Sequence, residues 1–205
     1  MKTTAILLDG GFVTKKLYRM MGNTHATAQD IIAFAKKCLT ADEELFRIYF
    51  YDCPPFEEVQ THPVTRIVID YSQTVICTRI KAFQDQLCAS DYIAFRRGKL
   101  SFKGWVIKKN SLTNISRTGR AIIPADYVPD LEQKRVDIKI GLDVAWLASR
   151  KIVQRIILVT ADSDFIPAMK FARQEGIQVM LVSLGNLIKK DMREHCDEFR
   201  AITYP

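Results

Sequence analysis

Two aspartates stand one residue apart at the end of a short apolar stretch. Asp162 and Asp164 follow residues 156–159, a run of β-branched and aliphatic residues that predicts a strand buried on both faces of a parallel sheet. Residues 165–173 then predict a helix, and residues 177–182 predict a second strand. In open α/β sheets ligands bind at the carboxyl ends of the strands, which is where these two carboxylates lie.

Two carboxylates at one strand end repel each other unless solvent, a helix N-terminus or a cation relieves the repulsion. Asp164 has an alternative role as the N-cap of the helix that follows. Asp162 has no such role, because it is still at the end of the strand. Oxygen ligands suit hard divalent cations, so the pair indicates a metal site.

Other aspartates are expected at the same edge of the sheet. Asp9 ends the first apolar run, residues 5–8, and the Gly10-Gly11 pair after it lets a backbone approach a ligand closely. Asp52 also follows a predicted strand, residues 45–51, but a turn before two prolines explains it, and we interpret it as structural.

A further carboxylate lies on the helix predicted over residues 134–148. On a helical wheel, Asp137 shares a face with three small or apolar residues that we expect to pack on the sheet, namely Gly141, Val144 and Ala148. A carboxylate on such a face is costly unless it is paired or bound to a metal, although a favourable interaction with the helix dipole is the alternative. Asp143 lies at the edge of the apolar arc and ranks below Asp137, as a supporting residue.

The net charge of +7 is concentrated in one segment of the chain. Between Tyr92 and Ala125 there is no acidic residue, whereas without the basic residues of this stretch 22 of the 30 Lys and Arg would face 23 Asp and Glu. A clustered basic segment predicts nucleic-acid binding, and a solvated surface is the alternative. The predicted binding residues are Arg96, Arg97, Lys99, Lys103, Lys108, Lys109, Arg117 and Arg120.

Aromatic residues are interleaved with these cations, which suits the stacking of unpaired bases, although they could equally be core residues of a hairpin. Short alternation over residues 92–107 predicts a basic β-hairpin. Residues 108–120 are polar and predict a loop. Earlier, helical spacing over residues 64–87 predicts two helices or one bent helix. The basic stretch, about residues 91–125, is therefore predicted to be an insertion in the domain.

The composition bounds the class of protein. A chain of 205 residues with 48% hydrophobic residues predicts one domain, residues 1–205, with a sizeable core. No apolar stretch is long enough to span a membrane, and the first apolar run is too short for a signal peptide. Five scattered cysteines without C-x-x-C spacing argue against a disulfide framework or a zinc site and for a reducing cytoplasm. The composition does not decide between a monomer and a homodimer.

Taken together, three motifs resemble the NYN domain, a branch of the PIN-like nuclease superfamily that includes LabA-like bacterial proteins. They are Asp9 after a buried strand, Lys134-x-Val136-Asp137 at the start of a helix, and the segment from Thr160 to Phe165 that contains Asp-Ser-Asp-Phe. As a set these motifs are fairly specific, and the resemblance spans nearly the whole chain. It implies a three-layer α/β/α sandwich with a mainly parallel sheet.

The same resemblance implies a metal-dependent ribonuclease that acts on RNA. Its acidic cluster would bind Mg²⁺ or Mn²⁺ and would consist of Asp9, Asp137, Asp162 and Asp164, with Ser163 assisting. Two positions depart from the common pattern: Phe12 stands where many members have asparagine, and Thr160-Ala161 stand where Ser-Gly is more frequent.

Three other functions could place aspartates in this pattern. The nearest is an RNA-binding adaptor of the same fold without turnover. A phosphatase of the haloacid dehalogenase type also places aspartates at strand ends, but it needs a second aspartate two residues after its nucleophile, where this chain has Gly11. A phosphoacceptor receiver would need paired acids just after the first strand, and it gives a basic hairpin no role.

Overall fold

The structure, a computed structural model, describes residues 1–205 and alternates strands with helices along most of the chain. Ten strands and seven helices are joined by short loops and three 3₁₀ turns. The strands are β1 (Lys2–Asp9), β2 (Glu43–Asp52), β3 (Val59–Thr61), β4 (Val68–Asp70), β5 (Ile93–Arg97), β6 (Lys99–Ile107), β7 (Tyr127–Lys134), β8 (Arg155–Val159), β9 (Gln178–Val182) and β10 (Glu198–Phe199). The helices are α1 (Gly10–Met20), α2 (Ala28–Lys37), α3 (Val75–Cys88), α4 (Lys109–Thr118), α5 (Val136–Ser149), α6 (Ile166–Gln174) and α7 (Lys190–Glu194).

Six strands form the central sheet, in the order β10-β9-β8-β1-β2-β5, and every neighbouring pair is parallel. The carboxyl ends of β1, β2 and β8 therefore meet at one edge of the sheet, and their amino ends meet at the other. We call these the carboxyl edge and the amino edge. Asp9 and Asp52 are the last residues of β1 and β2, so both lie at the carboxyl edge.

Successive residues of the central strands enter two separate cores. In β1, Ala5 and Leu7 pack with α5 and α6, whereas Ile6 and Leu8 pack with α1 and α2 on the other face. Because a strand alternates its side chains between faces, a sheet covered on both sides needs continuous apolar runs. The predicted parallel sheet between two layers of helices is confirmed.

The basic hairpin that the sequence predicts over residues 92–107 is wrong. The first part of that segment is β5, which joins the edge of the central sheet beside β2. The second part is β6, which pairs antiparallel with β7 in a separate two-stranded sheet. Gly98 separates the two strands, and its amide donates to the backbone carbonyl of Asp52. The part of this region outside the central sheet therefore comprises β6, α4 and β7 and begins after β5, and its being an insertion stays a prediction.

The predicted helix in the first half of residues 64–87 is also wrong. That half contains the short antiparallel pair β3 and β4. The ring of His62 accepts from the backbone amides of Val64 and Thr65 and closes the turn between them. Local turn hydrogen bonds form here instead of a helix. The apolar residues of the expected stripe, including Ile67 and Val68, contact no core and remain exposed, so packing does not stabilise a helix. The second half is helical, as α3.

Residues 108–120, predicted as a loop, contain α4 instead. This helix has no buried residue, and Leu112 and Ile115 are its only apolar residues, too few to mark a helix in the sequence. Gly119 ends it in the left-handed conformation, with φ of 69°. None of the seven helices combines the length and the hydropathy that a membrane-spanning helix needs.

Candidate functional site

Asp9 is held at the carboxyl edge by two hydrogen bonds. One of its carboxylate oxygens caps α1 by accepting from the Phe12 amide at 3.2 Å, and the other accepts from the Thr160 hydroxyl at 3.3 Å. The close approach of α1 to β2 explains why glycine follows, since a Cβ on Gly10 would stand 2.4 Å from the Tyr51 carbonyl oxygen. Asp9 is thereby fixed between two neighbouring strands.

Thr160 links the first aspartate to the pair after β8. Its side chain is fully buried, and its hydroxyl oxygen also accepts from the Asp162 amide at 3.2 Å. A carboxylate oxygen of Asp162 in turn accepts from the Asp164 amide at 2.9 Å, so Asp162 caps the 3₁₀ turn that leads into α6, and the prediction that only Asp164 could act as a cap here is wrong. In the sequence Thr160 stands out only as a departure from a motif. Its role became visible only when β1 and β8 were placed side by side.

Asp137 lies in the first turn of α5, where the helix faces the same edge. The buried face of α5 includes Val144, as the helical wheel predicted, together with Val136 and Ile140. Asp137 is exposed beside that face, and a Cβ on Gly141 would meet nothing within 4 Å, so the tight packing predicted for these two residues is wrong. The helix-wheel prediction was displaced by about one residue, because the apolar arc of α5 is wide.

These aspartates are close enough to repel one another. Burial raises the pKa of Asp9 above its ordinary value, and the charges of Asp137 and Asp162 add to the rise, against the lowering effect of its two hydrogen bonds. Although Asp137 is exposed, partial desolvation by its neighbours raises its pKa, with further contributions from the charges of Asp162 and Asp164. The four carboxylates therefore share one region of negative potential.

No cationic side chain neutralises this region. None of Asp9, Asp137, Asp162 and Asp164 takes part in an ion pair with Lys, Arg or His. As the side chains are arranged, no three His, Cys, Asp or Glu groups converge closely enough to hold one metal ion. Four carboxylates are nevertheless the donor set that a hard divalent cation prefers. The donor chemistry therefore fits such an ion.

Asp52, interpreted as structural from the sequence, lies beside this group. Burial raises its pKa to about 6, and the charge of Asp9 contributes to the rise. Its carboxylate accepts from the Cys53 amide at 2.8 Å and approaches the Gln84 amide group at 3.5 Å. The signal that could have identified it was its position at a strand end, which it shares with Asp9.

The two residues predicted to support the cluster have other partners. Ser163 accepts from the ammonium group of Lys189 at 3.0 Å. Asp143 accepts from the Tyr51 hydroxyl at 2.8 Å and from the Arg96 guanidinium at 2.9 Å. Asp143 is thus held by Tyr51 and Arg96, and its role as a supporting residue of the cluster stays a prediction.

Comparison with known proteins bears on this arrangement. The sequence profile described as the NYN domain matches residues 37–203, which include three of the four aspartates and begin after Asp9. The chain belongs to the NYN domain family. No curated protein sequence matches it.

The fold of this NYN domain is shared with a solved structure. The crystal structure of a protein of unknown function from Vibrio parahaemolyticus superposes with a TM-score of 0.54 at 17% identity, covering 98% of this chain and 93% of the other. At that identity the likeness concerns the fold alone. It agrees with the observed architecture over the whole NYN domain.

The eight predicted nucleic-acid contacts are distributed over several elements of the NYN domain. Arg96 and Arg97 end β5, whereas the others lie on β6, α4 and the adjoining loops. Three of the eight are paired with carboxylates: Arg96 with Asp143, Lys103 with Glu132, and Arg120 with Asp126.

Two more of the eight have weaker partners. Lys108 donates to the Ala125 carbonyl at 2.9 Å, and the Arg97 guanidinium lies 3.6 Å from the Cys88 sulfur. The side chains of Lys99, Lys109 and Arg117 have no ion pair or hydrogen bond. The basic segment is therefore only partly available to phosphate groups, with these three side chains unpaired.

Proposed function

We propose that this NYN domain is a metal-dependent ribonuclease whose site is formed by Asp9, Asp137, Asp162 and Asp164. The observation that carries the proposal is a set of mutually repelling carboxylates, from three separate segments, without any ion-pair partner. Such a group costs stability in the free protein. Carboxyl groups whose pKa values are perturbed in this way are concentrated at functional sites.

The residues of the site have distinct roles in this proposal. The four aspartates would hold Mg²⁺ or Mn²⁺, which when bound supplies polarisation of the scissile phosphate and an activated water. Thr160 positions Asp9 and the Asp162 backbone through its buried hydroxyl. The unpaired cations Lys99, Lys109 and Arg117 would contact the phosphate backbone of RNA, which positions a substrate without reading its sequence.

The same observation favours turnover over binding alone. A protein that only binds RNA gains nothing from four uncompensated carboxylates, because they repel phosphate groups. The adaptor function is the second candidate, and one feature favours it: Phe12 occupies the position where many members of the family have asparagine. The Phe12 ring packs beside the Lys16 ammonium group, 6.0 Å away, and offers no ligand oxygen.

A cleavage assay tests the proposal. Purified protein is incubated with structured and unstructured RNAs in Mg²⁺, in Mn²⁺ or in chelator, and Asp162→Asn is compared with the wild type. Asparagine retains an oxygen that can cap the 3₁₀ turn but lacks the charge. We predict at least about a 100-fold loss of cleavage, since even groups that merely support metal ligands are worth about 10- to 100-fold.

Asp91→Asn is the matched control, because Asp91 is exposed just before β5, at the amino edge of the sheet. It should cleave at the wild-type rate. Absence of cleavage by the wild type with either metal ion would favour the adaptor instead. Equal rates for Asp162→Asn and the wild type would place the activity elsewhere.

A further inference from the structure

A cavity of about 670 Å³ opens beside the carboxyl edge of the sheet. It lies between α1, α3, β7 and the segment that follows β2. Gly11 and Asp52 belong to its lining, and the charge of Asp9 acts on Asp52, so an occupant of the cavity lies next to the acidic cluster. Its volume falls within the range of about 300 to 1,000 Å³ that is typical of small-ligand sites.

Aromatic rings from two separate parts of the chain line this cavity. Tyr18 and His25 form one pair, with ring centroids 4.7 Å apart, and Phe56 and Tyr71 form another at 5.0 Å. The rings are only half-buried or exposed, so part of their surface is open to a ligand. Flat aromatic surfaces of this kind stack on unpaired nucleobases, whatever the base.

Two cations complete the lining. Lys15 on α1 and Arg79 on α3 are both exposed, and neither side chain has an ion pair or a hydrogen bond. Unpaired cations beside aromatic rings favour a ligand that is flat at one end and anionic at the other. A nucleotide within a nucleic-acid strand has this combination, and the cations would offset the repulsion between its phosphate and the nearby carboxylates.

We propose that this cavity, the base pocket, accepts an unpaired nucleobase of the strand bound at the acidic cluster. This inference rests on the proposed function, whose site the pocket adjoins. A base inside a duplex is stacked and paired, and it would have to be flipped out to enter. Tyr18 provides the stacking surface, and Lys15 and Arg79 contact the flanking phosphates.

The experiment measures binding in chelator, so that cleavage plays no part. The anisotropy of a labelled single-stranded RNA is followed with the wild type, with Tyr18→Leu and with the double variant Lys15→Gln/Arg79→Gln. Loss of one stacked base weakens binding by about 5- to 150-fold. The double variant should reduce the slope of affinity against salt by about 1.4, because each single-strand phosphate contact contributes about 0.7.

Two controls keep the result specific to the pocket. Lys36→Gln/Arg150→Gln removes the same charge from exposed positions outside the cavity and should keep the wild-type salt slope more closely than the pocket variant. A strand with abasic sites throughout should bind Tyr18→Leu as tightly as the wild type. The duplex of the same sequence should bind more weakly and be insensitive to Tyr18→Leu.

Some outcomes would overturn the proposal. If the wild type and Tyr18→Leu bound single-stranded RNA with equal affinity, the base pocket would be contradicted. The same would follow if Tyr18→Leu weakened binding to the duplex as much as binding to the single strand. Failure of the pocket is distinguishable from failure of the nuclease. Binding that depends on Tyr18 in a protein that never cleaves RNA would contradict only the nuclease, and cleavage that is indifferent to Tyr18 would contradict only the pocket.

Discussion

The two edges of the central sheet both carry clusters of charged side chains, but only the cluster at the amino edge contains charges of both signs that pair with each other. At the amino edge, Glu43 is fully buried between Arg155 and Arg200. Its carboxylate accepts from Arg155 at 2.9 Å and from Arg200 at 2.7 Å. Each arginine also pairs with a more exposed carboxylate, from Asp42 or Glu198.

The pKa shifts of the buried carboxyls differ accordingly. Burial tends to raise the pKa of Glu43, but the hydrogen bonds from Arg200, the Thr40 amide and Arg155 outweigh it, and the pKa is lowered. At the carboxyl edge burial prevails, and the pKa of Asp52 rises to about 6. One sheet therefore has one edge where buried charge is compensated and one where it is not. A buried carboxylate that is paired with arginines is costly to disrupt and belongs to the fold, whereas buried carboxyls without a counter-charge are typical of ligand sites.

The largest effect that would test this contrast is expected from Glu43→Gln. The change leaves the nearly buried guanidinium groups of Arg155 and Arg200 without their shared counter-charge. We predict a decrease of about 3 kcal/mol in the free energy of unfolding, as is usual when one partner of a buried ion pair is removed. Urea denaturation measures it. Glu44→Gln, at the exposed neighbouring position, should change stability by less than about 0.5 kcal/mol.

Equal stabilities of the two glutamine variants would show that the arginines find sufficient partners without Glu43. The compensation at the amino edge would then be redundant, and the contrast between the two edges would be weaker than the geometry indicates.

Asp52→Asn should have the opposite sign and a smaller size. The raised pKa means that folded Asp52 retains a proton that the unfolded chain has already released. The wild type therefore loses stability as the pH rises from about 4 to about 6. Asparagine has no such penalty, so the variant should be more stable than the wild type above pH 6, by up to about 2 kcal/mol, and equally stable near pH 4.

Denaturant unfolding at several pH values measures this difference. Asp85→Asn, an exposed position on α3, serves as the control and should show no such pH-dependent gain. A constant difference between Asp52→Asn and the wild type at every pH would contradict the assignment of the effect to the Asp52 carboxyl.

The smallest effect concerns cation binding at the carboxyl edge. We predict that Mn²⁺ stabilises the wild type, because an ion that binds only the folded state adds about 1.4 kcal/mol at ten times its Kd. Asp137→Asn removes one carboxylate and should reduce this gain. Thermal denaturation during a Mn²⁺ titration measures it, without any dependence on activity.

Glu44→Gln is again the control, because it removes a carboxylate at the other edge and should retain the full gain. If Asp137→Asn and the wild type were stabilised equally by Mn²⁺, the ion would be bound away from the four aspartates.

The sequence alone determined the framework of this NYN domain. Continuous apolar runs such as residues 156–159 indicated a parallel sheet covered on both faces, and aspartates at the ends of those runs indicated which edge carries chemistry. Asp9, Asp162 and Asp164 lie at that edge in the structure, with Asp137 nearby. These features were predictable because they follow from local order along the chain, namely the periodicity of a strand and the position of its last residue.

The tertiary structure alone decided which side chains are partners. Thr160 joins Asp9 only because β1 and β8 are neighbours, and Glu43 meets Arg200 across 157 residues of chain. Likewise, β6 pairs with β7 rather than with β5. The basic residues predicted to share one hairpin therefore lie in two separate sheets. Whether a charge is compensated depends on groups that are distant in sequence, so composition and spacing located the acidic edge but could not show that it lacks cations.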